Sequence, residues 1–320
     1  MKAMAQTSWA AGAPLALLDL PTPEPRAGEV RVRVHAASVN PVDWKMRQSG
    51  PLRFAARLIG PPPPVVPGVD FSGTVDAVGP KVTGVAVGDA VMGGVNFSRG
   101  QRGSYAEYVV VRPDQICVLP TGFDLDVAAG LGVVGATAWM AVVEMGRIGA
   151  GQRVAVLGAS GGVGQMCVQI AARVRGAFVA GVCSARNTGL VTGLGANAVI
   201  DYGQGDALEQ LRAHGPFDLI VDCAGGYSGP RCRALLATGG KHVMVAGDSP
   251  LAMVQVLVPP FSSRPILGVI TGARMRPLVD AIAAGQVKLP IAQRFPLTAA
   301  EEALHLSEGA RMTGKILLMP

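Results

Sequence analysis

Charge is scarce in this chain and aromatic residues are scarcer: 16% and 5% of residues, against 49% apolar. So few charges exclude a solvated, disordered polymer. So few rings leave the core to Val, Ala, Leu and Ile. Cysteine is sparse and poorly spaced for chemistry of its own. Cys117, Cys167, Cys183, Cys223 and Cys232 form no C-x-x-C pair and are odd in number. That pattern argues against a disulfide framework or a zinc module and points to the reducing cytoplasm. His35, His214, His242 and His305 show no metal-ligand spacing. No Lys/Arg run or basic–aromatic stripe accompanies the net charge of +6, so it reads as scattered solvated charge and no nucleic-acid partner is expected. The segment MKAMAQTSWA has no signal-peptide core. No stretch reads as long and apolar enough to span a bilayer, so membrane insertion is not expected.

What is present suits two domains, since 320 residues can bury sizeable cores. The first third is β-rich. Glu29 to His35 alternates as a half-buried strand, and Val69–Val78, Asp89–Gly93 and Tyr105–Val111 read as further strands. Pro61 to Pro64 is a loop. From about Leu119 the texture changes. Val154–Leu157, Phe178–Val182, Ala198–Ile200, Leu219–Val221 and Val243–Val245 are short apolar runs separated by helix-length segments. Such runs suit strands buried on both faces, and their alternation with helices predicts βαβ units and a parallel sheet. Two helices are expected near Arg274–Ala284 and Ala299–Leu306, and a strand-like Ile316–Met319 is expected to return to the first domain.

The sharpest motif follows Val154–Leu157. Gly158-Ala159-Ser160-Gly161-Gly162-Val163-Gly164 leads into an apolar stripe at helical spacing, Met166, Cys167, Ile170, Ala171 and Val174. Strand, glycine turn and helix in this order form a dinucleotide-binding device, because a pyrophosphate must reach backbone N–H groups that a Cβ would hold off. About twenty residues on, an NAD-binding protein places an acid on the ribose 2′-OH. Here that strand ends in Cys183-Ser184-Ala185-Arg186-Asn187. A hydroxyl and a guanidinium without a carboxylate suit a 2′-phosphate, so NADPH is preferred. The alternative is that Arg186 is a solvated helix residue.

These residues carry a wider resemblance. The segments VHAASVNPVDWKMRQ from Val34, VPGVDFSGTVDAVG from Val66, VGDAVMG from Val87, GSYAEYVVV from Gly103, GATAW from Gly135, LGASGGVGQMCVQIA from Leu157, LGANAVIDY from Leu194, FDLIVDCAGG from Phe217 and GKILL from Gly314 resemble the zinc-independent, quinone oxidoreductase-like branch of the medium-chain dehydrogenase/reductase superfamily. The resemblance implies an α/β fold: a doubly wound Rossmann domain over 123–269, and a GroES-like β-rich catalytic domain over 1–122 completed by 270–320. It implies an active site in the cleft where they meet, and a homodimer. The zinc-dependent members hold metal with a Cys and a His where this chain has Asn40 and Val69, neither of which supplies a thiolate or imidazole. No cysteine precedes Cys117 to build a structural zinc lobe.

Hydride chemistry without a metal favours conjugated carbonyls, on which charge spreads to a remote oxygen. The resemblance therefore implies an NADPH-dependent reductase of a quinone, enone or alkenal. The alternatives are an enoyl-thioester or biosynthetic double-bond reductase, and a low-turnover NADPH-binding partner or RNA-binding scaffold. It assigns Ser160, Gly161, Gly162 and Val163 to the pyrophosphate, Ser184 and Arg186 to the 2′-phosphate, and Tyr202, Ala224, Ala246 and Gly247 to the cofactor more generally. Thr137 and Asn40 match positions near the nicotinamide. Thr137 reads equally as a helix-start residue, and Asn40 as an Asx-type turn anchor before Pro41. Asn40, Asp43 and Lys45 are the catalytic candidates; Asp43 and Lys45 read alternatively as a structural Asp and a helix-surface Lys. Tyr105 and Tyr108 are tempting acids in a strand of packed aromatics, and solvent is a further proton source. Substrate shape is expected from the loops Gly50–Pro67 and Phe261–Thr271.

Overall fold

The computed structural model describes residues 1–48, 53–54, 57–58, 60–245, 263–265, 269–309 and 313–320. The chain divides into two compact units. The first is Met1–Val133 with Val269–Asp280 and Leu289–Pro320; the second is Val134–Gly268 with Ala281–Lys288. Both divisions differ from the expected ones for reasons visible in the hydrogen bonds. Leu125 to Val133 stays with the first unit because the Ser72 hydroxyl donates to the Leu125 carbonyl (2.6 Å) and the Val133 N–H donates to Asp70 (2.8 Å). Ala281–Lys288 stays with the second because the buried amide of Gln169 donates to the Lys288 carbonyl (2.9 Å) and accepts from its N–H (2.8 Å).

The first unit starts with a hairpin, β1 (Lys2–Ala5) and β2 (Ala16–Asp19). Then follow β3 (Val30–Ser38), the short helix α1 (Pro41–Lys45), β4 (Asp70–Val78), β5 (Ala90–Gly94), β6 (Tyr108–Val111), β7 (Ile116–Val118) and helix α2 (Leu125–Trp139), whose residues from Val134 onward belong to the second unit. Along β3, Val30, Val32 and Val34 point into a core with Phe71, Val75, Val91, Val109 and Val111, while Arg33 and His35 face water. Period-two alternation thus sets the register of the whole sheet. Tyr105–Val111 does not form one strand. The strand begins at Tyr108; before it Ala106 makes only an isolated bridge to Ala3, and Tyr105 is wholly buried.

The second unit alternates strand and helix: β8 (Arg153–Leu157), α3 (Gly162–Gln169), β9 (Phe178–Cys183), α4 (Thr188–Gly193), β10 (Ala198–Asp201), α5 (Ala207–Leu211), β11 (Phe217–Asp222), α6 (Gly229–Arg233), β12 (Leu236–Met244) and β13 (Ser263–Pro265). All pairings are parallel, in the order β10-β9-β8-β11-β12-β13. Counted within the unit this is 3-2-1-4-5-6, the doubly wound Rossmann arrangement. The strands are short and apolar because helices cover both faces.

The chain then forms α7 (Gly272–Ala283), β14 (Ile291–Pro296), α8 (Ala300–Glu308) and β15 (Lys315–Met319). β15 pairs with β3 and, in parallel, with β14, completing a seven-stranded sheet in the first unit. Neither β1, β2 nor β14 stands out in the sequence. The residues of β2 and β14 are too exposed and mixed to carry a clear alternation, and β1 is buried at three of its four positions, so it shows no alternation either.

The membrane expectation needs correction. The helix Leu125–Met145 has 21 residues of hydropathy 1.6, enough by length and composition to cross a bilayer. Its apolar character has another cause here, since 67% of that window is buried in the fold. A helix packed on most sides carries no polar stripe. Its glycines admit close neighbours: a Cβ at Gly132 would meet the Asp70 side chain at 2.5 Å, and one at Gly130 would meet Leu289 at 3.1 Å.

Candidate functional site

In the second unit the glycine turn sits between β8 and α3. Gly158 adopts φ +77°, which L side chains rarely tolerate. A Cβ on Gly164 would lie 2.2 Å from the Gly158 carbonyl, so the helix can approach the strand only without one. Gly161 is the N-cap of α3 and its N–H donates to the Gly158 carbonyl (3.1 Å). The next N–H groups, from Gly162 and Val163, have no partner inside a helix that starts there. Ser160 and Val163 are partly exposed and Gly161 is exposed. Gln165, almost fully buried, ties its amide to the Ser160 carbonyl (2.8 Å). The result is an exposed set of backbone donors at a helix N-terminus, held rigid from beneath, which fits an anionic pyrophosphate.

Beside the turn, β11 ends in Asp222. Its carboxylate is buried and accepts from the N–H groups of Ala224 (2.9 Å) and Gly225 (2.8 Å). Burial raises its pKa, partly offset by those N–H groups. This shapes the Cys223–Gly225 turn, which lies against Gly158. Ala224 is therefore an exposed backbone element of the same strand edge. The sequence reading missed Asp222 as the turn's organiser. Its only signal was an acid closing an apolar strand.

Ser184 and Arg186 lie directly after β9, on the turn 185–187. Ser184 is partly exposed and accepts from the Asn187 amide (3.3 Å). Arg186 is exposed, with no ion-pair partner among the described residues. Tyr202 follows β10 and is 56% exposed. Thr137 is buried within α2, two turns or more from its start, so it is not a helix-start residue. Ala246 and Gly247 lie outside the described residues, as do parts of Phe261–Thr271 and of Gly50–Pro67.

The first unit holds a different constellation. Asp70, at the start of β4 and fully buried, accepts at Oδ1 from the Ser38 hydroxyl (2.6 Å) and the Asn40 amide (2.9 Å), and at Oδ2 from the Val133 N–H (2.8 Å). The Lys315 ammonium, from β15, donates to the Asn40 Oδ1 (2.7 Å) and to the Val39 carbonyl (3.1 Å). Burial depresses the Lys315 pKa, while Asp70 and Asp43 pull it back up. Both ends of the Asn40 amide are thus engaged, with only 1% of the residue exposed. Asn40 is also the N-cap residue of α1, in a capping box in which Asp43 accepts from the Asn40 N–H (2.8 Å).

Asp43 Oδ2 also accepts from the Tyr105 hydroxyl (3.0 Å). Burial and then the nearby Asp70 push the Asp43 pKa up to about 7, despite those two donors. Burial, and then Asp43, raise the Tyr105 pKa well above its ordinary value. Tyr105 is thus a donor held in the core, whereas Tyr108 is partly exposed in β6 and lies under the Arg31 guanidinium, 5.5 Å from its centroid. Lys45 is partly exposed, with its ammonium 5.4 Å from the centre of the Trp44 ring. The structure therefore brings Asn40 and Asp43 together and leaves Lys45 outside the network. Asp70, Lys315, Ser38 and Tyr105 were missed as its members. The available signal was a charge inside an apolar run, in VPGVDFSG and GKILL. Among the described residues no cluster of three or more His, Cys, Asp or Glu stands ready to hold a metal.

Comparison with known proteins gives the same outline. The model of the alcohol dehydrogenase GroES-like domain matches residues 26–121, and that of the zinc-binding dehydrogenase matches 194–318. A chloroplast envelope quinone oxidoreductase homolog of Arabidopsis thaliana is 32% identical, over 100% of this chain and 98% of its own. The trans-enoyl reductase pgmF of Aspergillus terreus is 38% identical over 62% of this chain and 55% of its own. The solved structure of the quinone oxidoreductase from Coxiella burnetii is 30% identical and covers 100% of this chain and 99% of that one, with TM-score 0.88. With the parallel sheet, the glycine turn and full-length likeness together, the chain belongs to the medium-chain dehydrogenase/reductase superfamily, as a quinone oxidoreductase-like oxidoreductase of a family whose members bind a nicotinamide cofactor.

Proposed function

We propose that this protein is an NADPH-dependent, zinc-independent reductase of quinones or α,β-unsaturated carbonyls. The observation that carries the cofactor half is the end of β9, where an exposed guanidinium and a hydroxyl stand in place of a carboxylate. Arg186 and Ser184 would hold the 2′-phosphate by charge-assisted hydrogen bonds. The N–H groups at Ser160–Val163 would hold the pyrophosphate, and the Ala224 and Tyr202 edges would flank the nucleotide. Thr137, Ala246 and Gly247 stay assigned to the cofactor on resemblance. When bound, the nicotinamide supplies the hydride.

The zinc-independent half is supported by Lys315. A buried cation already bonds Asn40 beside Asp70, so a second cation there would meet an ammonium rather than a free ligand set. Asn40 and Asp43 then act by fixing this core, and solvent supplies the proton. The family's quinone reductases favour the quinone or enone substrate. The likeness to a trans-enoyl reductase favours, as a second reading, a dedicated double-bond reductase. A homodimer in a reducing compartment, the cytoplasm, completes the proposal.

The test is NADPH oxidation with a 1,4-quinone, a short enone and an enoyl thioester, in the presence of chelator. Turnover on the first two supports the main reading, and on the thioester alone the second. Tight NADPH binding without turnover on any of the three would leave a binding protein instead. For the cofactor, Arg186→Ala should weaken NADPH about 10- to 100-fold, as for a lost charged hydrogen bond, and leave NADH nearly unchanged. An equal loss for both cofactors refutes the 2′-phosphate assignment.

A further inference from the structure

In the turn that follows β9, two polar side chains bond each other where each could have capped a helix. Ser184 precedes the single helical turn 185–187 with extended backbone (φ −81°, ψ 156°), the posture of an N-cap. A serine there ordinarily accepts a backbone N–H at its hydroxyl oxygen. Ser184 makes no such bond. The Asn187 N–H goes to the Ser184 carbonyl instead (2.9 Å), and the Asn187 side-chain amide donates to the Ser184 hydroxyl oxygen (3.3 Å). Asn187 is itself the residue before α4, and its side chain caps nothing.

This pairing fixes what Ser184 offers. A hydroxyl has one proton to give and two lone pairs. The amide fills one lone pair, so the proton turns away from Asn187. The Thr188 hydroxyl holds the same turn by donating to the Ala185 carbonyl (3.0 Å), and Arg186 stands exposed beside it. One acid lies close by. Asp201 of β10 is the register partner of Cys183, the residue before Ser184. Its carboxylate accepts from the Gly203 N–H (2.9 Å) and the Gln204 amide (3.4 Å), and so is committed to the turn after its own strand.

We propose that Asn187 is a positioning residue for cofactor choice, acting through Ser184. By occupying the hydroxyl oxygen it presents the Ser184 proton as a donor. A donor beside a guanidinium suits the acceptor-only oxygens of a 2′-phosphate, whereas a ribose 2′-OH is held by an acid. The inference rests on the NADPH reading above and names a residue which that reading does not use. Asn187 does not itself touch the cofactor.

The test is a double-mutant cycle on the full chain, Asn187→Ala and Ser184→Ala singly and together. NADPH and NADH are each titrated by the cofactor's fluorescence, and folding is checked by melting temperature. Asn187→Ala should weaken NADPH about 3- to 10-fold, as for one neutral hydrogen bond, and leave NADH within about twofold. In the Ser184→Ala background the same substitution should change neither cofactor's affinity. Asn187→Asp keeps the shape of the side chain but cannot donate. Its carboxylate takes the Ser184 proton and faces the 2′-phosphate as a like charge, so NADPH should weaken more than about tenfold while NADH holds. Equal losses of NADPH and NADH in Asn187→Ala would show a merely structural role and overturn the proposal. So would an NADPH loss that persists without the Ser184 hydroxyl, or an Asn187→Asp protein that keeps its preference. Arg186→Ala, titrated in parallel, separates the two levels. Equal losses there remove the NADPH reading itself, and a selective loss there beside a failed cycle removes this inference alone.

Discussion

The two units of this protein treat polarity in opposite ways. In the second unit the strands are mostly apolar and the anion-facing groups are backbone N–H groups at one edge, with Asp222 and Gln165 bracing the loops from below. In the first unit an ammonium and two carboxyl groups lie inside the fold, where β3, β4, α1, α2 and β15 converge. A backbone device tolerates almost any side chain that leaves its glycines alone. A buried charge network tolerates no loss of a member, because each charge was desolvated on the understanding that its partners are present. The difference teaches where each unit is vulnerable: one to added bulk, the other to removed charge.

Lys315→Met breaks this contrast most severely. It leaves Asp70 buried without its nearby cation and should cost about 3–5 kcal/mol, the range for an uncompensated buried charge, read by denaturant unfolding. A cost below about 1 kcal/mol would show that Asp70 is satisfied by its three hydrogen bonds alone. Gly164→Ala probes the other unit by bulk. Its Cβ would meet the Gly158 carbonyl at 2.2 Å, so α3 must shift, at about 1–3 kcal/mol for overpacking. NADPH affinity in titration should fall more than tenfold, with the first unit's pH response intact.

The pH arms of stability sharpen the comparison further. Asp43 titrates at about 7 in the fold against 3.8 as its ordinary value. Its contribution is therefore full below about pH 4 and is lost as pH rises through 7. Asp43→Asn, which mimics the neutral carboxyl, should flatten the decline in melting temperature between pH 5 and 8. His242, fully buried in β12, has the reverse sign. Burial, and then Arg233, hold it down to about 4 against an ordinary 6.5. The stability it contributes is present above 6.5 and is lost as pH falls toward 4. His242→Gln should soften the acid arm, the smallest of these effects because carboxylates elsewhere share that arm. If Asp43→Asn altered the acid arm and His242→Gln the alkaline one, the assignment of the two arms to the two units would fail.

Legibility followed the same division. The glycine turn could be read directly, because strand, turn and helix are contiguous and the reason for each glycine is local: φ +77° at Gly158 and a 2.2 Å approach at Gly164. The parallel sheet was legible from its apolar runs. Asn40 was also singled out, yet its environment was not visible, since the atoms that engage it come from Ser38, Asp70 and Lys315. Tyr105 was read as a packed strand aromatic, because nothing local shows that its hydroxyl reaches Asp43, 62 residues away. The apolar helix from Leu125 shows the converse error. Composition reports how apolar a segment is, but not whether protein or lipid covers it.

By itself, then, the sequence determined the local devices: period-two strands in the first unit, βαβ units in the second, a turn with room for a pyrophosphate, and a second strand ending in Ser184 and Arg186 without an acid. Those depend on backbone geometry and on residues within a few positions of one another. Only the tertiary structure decided that Asp43, Asp70 and Lys315 share one buried network. The proton affinity of a buried group is set by its desolvation and by charges that arrive from other elements, and neither exists until the chain has folded.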